Sequence, residues 1–565
     1  MDLRLAETLP TEPGQRLTWD NVFGAAGGFL AAQAAAAHGS LVLIVANDAE
    51  DAVRWHDEVA FFSADGEDGI VHFPDWETLP YDVFSPHPDI TSERLATLRA
   101  LGRLRRGVLV VSVTALMQRL APPEYVEAQS FVLAAGDLFD THTERARLEA
   151  AGYTAVETVE NRGEFAIRGS LMDIFPAGAE NPIRIDMLDD EIESLRLFDP
   201  DTQRTIERVG AISMLPAREF PLDDAAIARF RSRWHETFDV DVRTCSVYKD
   251  VSAGIPPGGI EYYLPLFFDR LATLFDYLPA DTLLLHRSDL GDAAQHFRKD
   301  IESRHDSLAY DIERPILQPD ALFLTPDGLH ERLRAYPRVS LRERQRAGTR
   351  RRSRMLPDLQ ANARLKEPAQ RLREFMAANR SARFLFTAET VGRREVLSEF
   401  LARAGIGAET VPGLSDFLAG TAPCGIATAP LHQGLWADEL IVLTETQIFG
   451  HRPTGERVSG ARVVDPEQIV RDLSELSTGA PVVHLEHGIG RYLGLQTLSV
   501  DGLVSEFLML EYAGGDKLYV PVTSLHLITR YTGAGDAGAP LHRLGSDQWE
   551  RAKRRAAAKA VDVAA

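Results

Sequence analysis

The stretch from Glu160 to Asp199, ENRGEFAIRGSLMDIFPAGAENPIRIDMLDDEIESLRLFD, constrains the fold more than any other part of this chain. The segments EFAIRGSLMDIFP, NPIRIDML and IESLRLF place apolar residues at alternating or near-alternating positions, and PAGAENP and LDDE separate them with turn formers and acids. A period of two punctuated in this way predicts consecutive strands in a small antiparallel meander. Arg168 and Arg184 stand at corresponding places near the middle of two strands, with Leu188 beside them. A flat face carrying two arginines and an aliphatic residue suits a protein partner, because arginine forks bind carboxylates and apolar neighbours exclude water. The competing reading is two solvated strand residues. Asp189, Asp190 and Glu191 read as a polar turn rather than magnesium ligands, for want of a phosphate loop.

A chain of 565 residues is too long for one core and suggests several domains. With 45% hydrophobic and 25% charged residues it has the composition of a globular protein. Its net charge of -22 argues against a surface that grips nucleic acid throughout, leaving only local basic patches for that purpose. Cys245 and Cys424 lie far apart without CxxC spacing, so neither a cysteine-rich metal site nor a disulfide framework is expected, and a reducing cytoplasm fits. No run reaches the ~18 apolar residues of a membrane helix, and the N-terminus lacks an export leader, so no membrane association is expected.

From Leu17 to about Pro122 the pattern alternates helix and strand. FGAAGGFLAAQAAAAHG precedes the buried-type strand SLVLIVAND, and GVLVVSVTAL is another, which predicts a helix-covered parallel sheet. Gly24, Gly27, Gly28 and Phe29, in GAAGGFL, have the outline of a degenerate nucleotide loop: Phe29 and Leu30 stand where a working loop places a lysine and a hydroxyl. The alternative is a glycine-rich helix entry with no nucleotide history. Either way no nucleotide cofactor is expected. FPDWETLPYDVFSPHPDITSERLATLRAL predicts a loop leading into a helix capped by Thr91 or Ser92, and His72 and His87 are too isolated to hold a metal.

FPDWETLPYDVFSPHPDITSERL, ENRGEFAIRGSLMDIFP with its DDEIESLRLFD, and HLEHGIGRY together make the chain similar to the bacterial transcription-repair coupling factors, the Mfd family. The resemblance runs along essentially the whole chain. It implies a multidomain α/β protein: residues 1–130 and 211–340 form two halves of a degenerate, helicase-like parallel-sheet domain resembling the repair helicase subunit UvrB. Residues 131–210 form an inserted antiparallel β domain through which UvrB and this family bind UvrA. The family's contact motif falls on Arg168, Arg184 and Leu188, the last often aromatic in relatives. PYDVFSPHPD has no room for UvrB's damage-threading hairpin.

The basic run LRERQRAGTRRRSRM, 341–355, predicts a mobile linker, either touching DNA weakly or merely solvated. GIPPGGIEYYLPLFF favours core packing over base stacking. Residues 356–475 read as a further α/β domain of unassigned role, with FLFTAE and GRREVLSEFLARAGI as its strand and helix, closed by Gly405. Residues 476–540 show short strands with glycine turns, the pattern of a small twisted barrel, and resemble the CarD/Tudor-like RNA-polymerase-interacting domain of the family. HLEH lacks a third nearby histidine, so no zinc is expected.

In SEFLMLEY, Phe507, Met509 and Glu511 alternate with Leu508, Leu510 and Tyr512. By resemblance this segment is the contact for the RNA polymerase β subunit. Read as an exposed edge strand, it offers Leu508 outward as the best single contact, accompanied by Phe507, Met509 and Leu510. Residues 541–565 begin a basic helix that in the family leads to a two-lobed DNA translocase, where ATP and magnesium act. The expectation is therefore a non-catalytic adaptor linking polymerase to UvrA, without its motor. The alternatives are a UvrB-like ATP-dependent helicase, which needs the missing lysine, and a CarD-type regulator, for which most of the chain is surplus.

Overall fold

The computed structural model describes residues 8–63, 66, 69–188, 190–344, 353–361, 367–450, 481–484, 488–500, 503–513, 515–521 and 528–530. The chain divides into two compact units, Met1–Arg452 and Pro453–Ala565. It is a mixed α/β protein with parallel and antiparallel sheets.

The first sheet is parallel throughout. Its strands lie in the order Arg16–Trp19, Arg338–Leu341, Leu283–Arg287, Leu41–Ala46, Gly107–Ser112, Ile70–Phe73. LVLIVA and the valine-rich GVLVVS are buried almost throughout because helices cover both faces. The chain leaves this sheet after Ser112 and returns to it at Leu283, so residues distant in sequence complete one core. Leu341, read from sequence as the start of a linker, is a buried member of this sheet. Arg344 and Ser353 are both held by main-chain hydrogen bonds to Asn21, so the basic run is pinned on either side of residues 345–352, which lie outside the described residues. The helix expected after Thr91 or Ser92 runs Pro88–Leu101: proline suits the first helical position, and the His87 ring nitrogen accepts from the Asp89 N–H.

Between the two parts of that sheet lies the meander. Its strands are ordered Thr205–Val209, Glu191–Phe198, Ile183–Leu188, Leu171–Ile174, Glu164–Arg168, Thr154–Ala155, antiparallel except for the last pair. EFAIRGSLMDIFP, read above as one strand, is a hairpin that turns at Gly169, whose φ of +63° lies where a residue without Cβ is unstrained. Arg168 therefore ends a strand rather than occupying its middle. Inward, Phe165, Met172, Ile174, Ile183, Ile185, Met187, Ile192 and Leu195 build a continuous core. GIPPGGIEYYLPLFF folds as a 3-10 helix, Ile260–Leu266, with Tyr262 and Tyr263 buried among aromatic neighbours.

A second α/β sheet, ordered Glu409–Thr410, Cys424–Thr428, Arg383–Ala388, Leu440–Thr444, Leu435–Ala437, is parallel except for its last pair. Leu385, Leu435, Leu440 and Val442 join the core around the helix Ala26–His38, so this sheet packs onto the first. The second unit is an antiparallel sheet ordered Lys517–Pro521, Leu503–Glu511, Gly488–Val500, Pro481–His484, Ile528–Arg530.

Leu503–Glu511 is an inner strand of that sheet, paired on both sides from Phe507 to Glu511. This overturns the expectation of an exposed edge with Leu508 outward. Leu508 and Leu510 are fully buried and, with Val482, Tyr492, Tyr512 and Val520, make the core of the module. Both alternating sets of this strand carry large apolar residues, Phe507 and Met509 in one and Leu508 and Leu510 in the other, and the pairing strands select Leu508, Leu510 and Tyr512 as the inward one. Met509 is half-buried and pairs with Tyr519, which is 38% exposed. Only the backbone of Phe507 is described. Of HLEH, His484 is buried and the rest lies outside the described residues.

Candidate functional site

The alternation that buries Ile183, Ile185 and Met187 sends Arg184, Asp186 and Leu188 to the other face of the meander. Asp173, on Leu171–Ile174, is the cross-strand partner of Arg184, and Arg168 closes the next strand. The two arginines thus come together as the sequence spacing proposed, but around a carboxylate that it did not single out. Arg184 grips Asp173 with two donors, Nε to Oδ1 at 2.7 Å and Nη2 to Oδ2 at 2.9 Å. Its guanidinium also lies over the ring of buried Phe198, 4.8 Å from the centroid. Hydrogen bonding to Asp173 raises the Arg184 pKa above its ordinary value, so this cation stays charged. Arg168 reaches the same carboxylate through a single Nη2 contact of 3.3 Å, and its side chain is 51% exposed. Leu188 is 64% exposed. A second pair, Asp186 with Arg196 and Ser194, continues the polar row. The sequence reading missed Asp173; the signal that marks it is an acid inside the apolar run LMDIF.

The glycine loop has a different structure. Gly27 and Gly28 lie in the first turn of the helix Ala26–His38, packed against the helix Ala49–Phe62. A Cβ on Gly28 would stand 2.3 Å from the Glu58 Cβ, and one on Gly27 would stand 2.9 Å from the Trp55 ring. Gly24, at φ +58°, lets the main chain approach Gly434 of the second sheet, whose carbonyl oxygen accepts from the Ala25 N–H at 3.0 Å. The Gly28 N–H donates to Glu58 Oε2 at 3.2 Å. Phe29 turns into the core against Phe62. Groups that a nucleotide loop would offer to phosphate are here bonded to a carboxylate and a carbonyl of the same chain. The cavity beside them, lined by Gly24, Gly27, Trp55 and Arg287, has a volume of about 210 Å³. Burial pushes the Glu58 carboxyl up to about 7, opposed by the charge of Arg287 and the Gly28 N–H.

Residues 131–220 match the UvrB interaction domain, residues 375–448 the MFD D3 domain, and residues 476–532 the CarD-like/TRCF RID domain. The arginine face falls inside the first of these and the Leu503–Glu511 strand inside the last, which together define a multidomain protein of the transcription-coupled repair class. The transcription-repair-coupling factor of Escherichia coli (strain K12) is 42% identical over 570 residues, covering 99% of this chain and 49% of that protein. That of Haemophilus influenzae is 39% identical with the same shares, and that of Myxococcus xanthus is 30% identical over 98% of this chain and 48% of its own length. The chain belongs to the transcription-repair-coupling factor family, and it spans about half the length of the curated relatives it matches. No helix among the described residues is long and apolar enough to cross a membrane.

Proposed function

We propose that this chain is a non-catalytic adaptor: the outer face of the meander recruits UvrA, and the small antiparallel module meets RNA polymerase through its β subunit. The observation that carries the reading is the exposed Arg168 and Leu188 beside Arg184, set on a sheet whose other face is a filled core, inside the stretch that matches the UvrB interaction domain. A rigid sheet presents a cation and an apolar group with little entropy left to lose, the property that favours specific binding over loose charge attraction.

In the second unit, Met509 and Tyr519 on adjacent strands supply an outward apolar contact for polymerase in place of the buried leucines. The filled helix entry at Gly28 favours this adaptor reading over a helicase, because phosphate would have to displace Glu58. The test is to bind the full chain to purified UvrA and to RNA polymerase separately. Each should bind saturably; Arg168→Ala should weaken UvrA on the order of tenfold while leaving polymerase unchanged. Binding to neither partner overturns the reading.

A further inference from the structure

The geometry of the outer face points to Asp173 as the positioning residue of the partner site, an inference that rests on reading this face as the UvrA contact. Asp173 is 3% exposed, so its carboxylate does not itself meet a partner. What it does there must pass through the two arginines that touch it. It takes Nε and Nη2 of Arg184, one of the two fork edges that a carboxylate of the partner could use, while that guanidinium lies over the Phe198 ring. Arg184 is thereby held as a fixed platform. Arg168, with one contact of 3.3 Å and half its side chain in solvent, keeps most of its donors for the partner. The two arginines therefore divide the work: Arg168 makes the contact, and Arg184 sets the surface on which that contact is made. One carboxylate shared by two guanidinium groups leaves the trio with a single net positive charge, which suits one acidic side chain of the partner.

Counting charges and holding geometry predict opposite results for Asp173→Asn. If only charge mattered, removing an aspartate beside two arginines would strengthen attraction for an acidic partner. If Asp173 positions the forks, the substitution releases Arg184 from its bidentate hold and binding weakens despite the extra positive charge. We expect UvrA to associate with Asp173→Asn as fast as with the parent, or faster, and to dissociate about tenfold faster in surface plasmon resonance. Arg184→Lys, which keeps the charge and loses the fork, should shift the off-rate in the same direction.

Binding by Asp173→Asn as tight as the parent's, or tighter, overturns the proposal. Should that variant melt early, the pair Arg184→Met with Asp173→Asn removes both sides of the buried contact and is compared with Arg184→Met alone. The double variant should bind UvrA no more weakly, since Asp173 acts through Arg184, and a further tenfold loss overturns the proposal. Undiminished binding by Arg168→Ala, or no UvrA binding by the parent, sinks the reading of the face itself.

Discussion

Arg168 and Arg184 touch the same carboxylate with unequal geometry, so their loss has unequal consequences for the fold. Arg184→Ala leaves Asp173 buried without its bidentate partner and is expected to destabilise the chain by roughly 2–4 kcal/mol. Arg168→Ala removes one exposed contact and should change stability by less than about 0.5 kcal/mol. Thermal melts of the two variants check this, and equal shifts would refute the asymmetry. Glu58 offers a second test at this scale. Its folded pKa of about 7 lies above the ordinary 4.5, so the folded state keeps a proton that the unfolded chain has already lost. Stability contributed by this group is greatest below about pH 4.5, falls as pH rises toward 7, and is level above that. Glu58→Gln removes the dependence while keeping an acceptor for the Gly28 N–H. The variant's stability relative to the parent should therefore rise between pH 5 and pH 8, by up to about 3 kcal/mol. Urea unfolding at the two pH values measures the difference, and parallel profiles for parent and variant contradict it.

Among the elements, the strand Leu503–Glu511 shows how neighbours assign a face. Because Leu508 belongs to a small core with Leu510 and Tyr512, Leu508→Arg should unfold the module by burying an unpaired cation. Tyr519→Arg, on the outer strand Lys517–Pro521, should leave it folded. Limited proteolysis of the full chain separates the two: rapid cleavage within residues 481–530 is expected for the first and parental resistance for the second. Resistance in Leu508→Arg would show that the leucine is not core. The helix Ala26–His38 makes a similar point about glycine. Gly27 and Gly28 look like phosphate-loop residues in sequence, yet their missing Cβ atoms admit Trp55 and Glu58 of the neighbouring helix.

Across the whole molecule, both α/β sheets share a device. Glu58 accepts from Gly28 at the start of one helix, and Glu445, itself buried, accepts from the Glu389 N–H and pairs with Arg393 at the start of another, Val391–Arg403. Each helix entry is occupied by the chain's own carboxylate, where an anion would otherwise be stabilised. The expected outcome is no saturable heat when the chain is titrated with ATP and Mg²⁺ to millimolar concentration. Saturable binding that disappears in Gly28→Ala would contradict it.

Period-two alternation alone placed Arg184 and Leu188 opposite Ile183, Ile185 and Met187, because side chains of a strand alternate whatever the fold around them. The punctuated apolar runs likewise showed a helix-covered sheet and a meander, since local pattern decides what kind of element forms. Which arginine is free was not legible, because the answer lies in Asp173 on a neighbouring strand. The inward side of FLMLEY was also beyond local pattern: Leu508 and Met509 both suit a core, and only pairing with Gly488–Val500 and Lys517–Pro521 chose between them. The glycines of GAAGGFL were ambiguous for the same reason. A missing side chain makes room without naming what fills it, and only tertiary packing brought Trp55, Glu58 and the Gly434 carbonyl into that space.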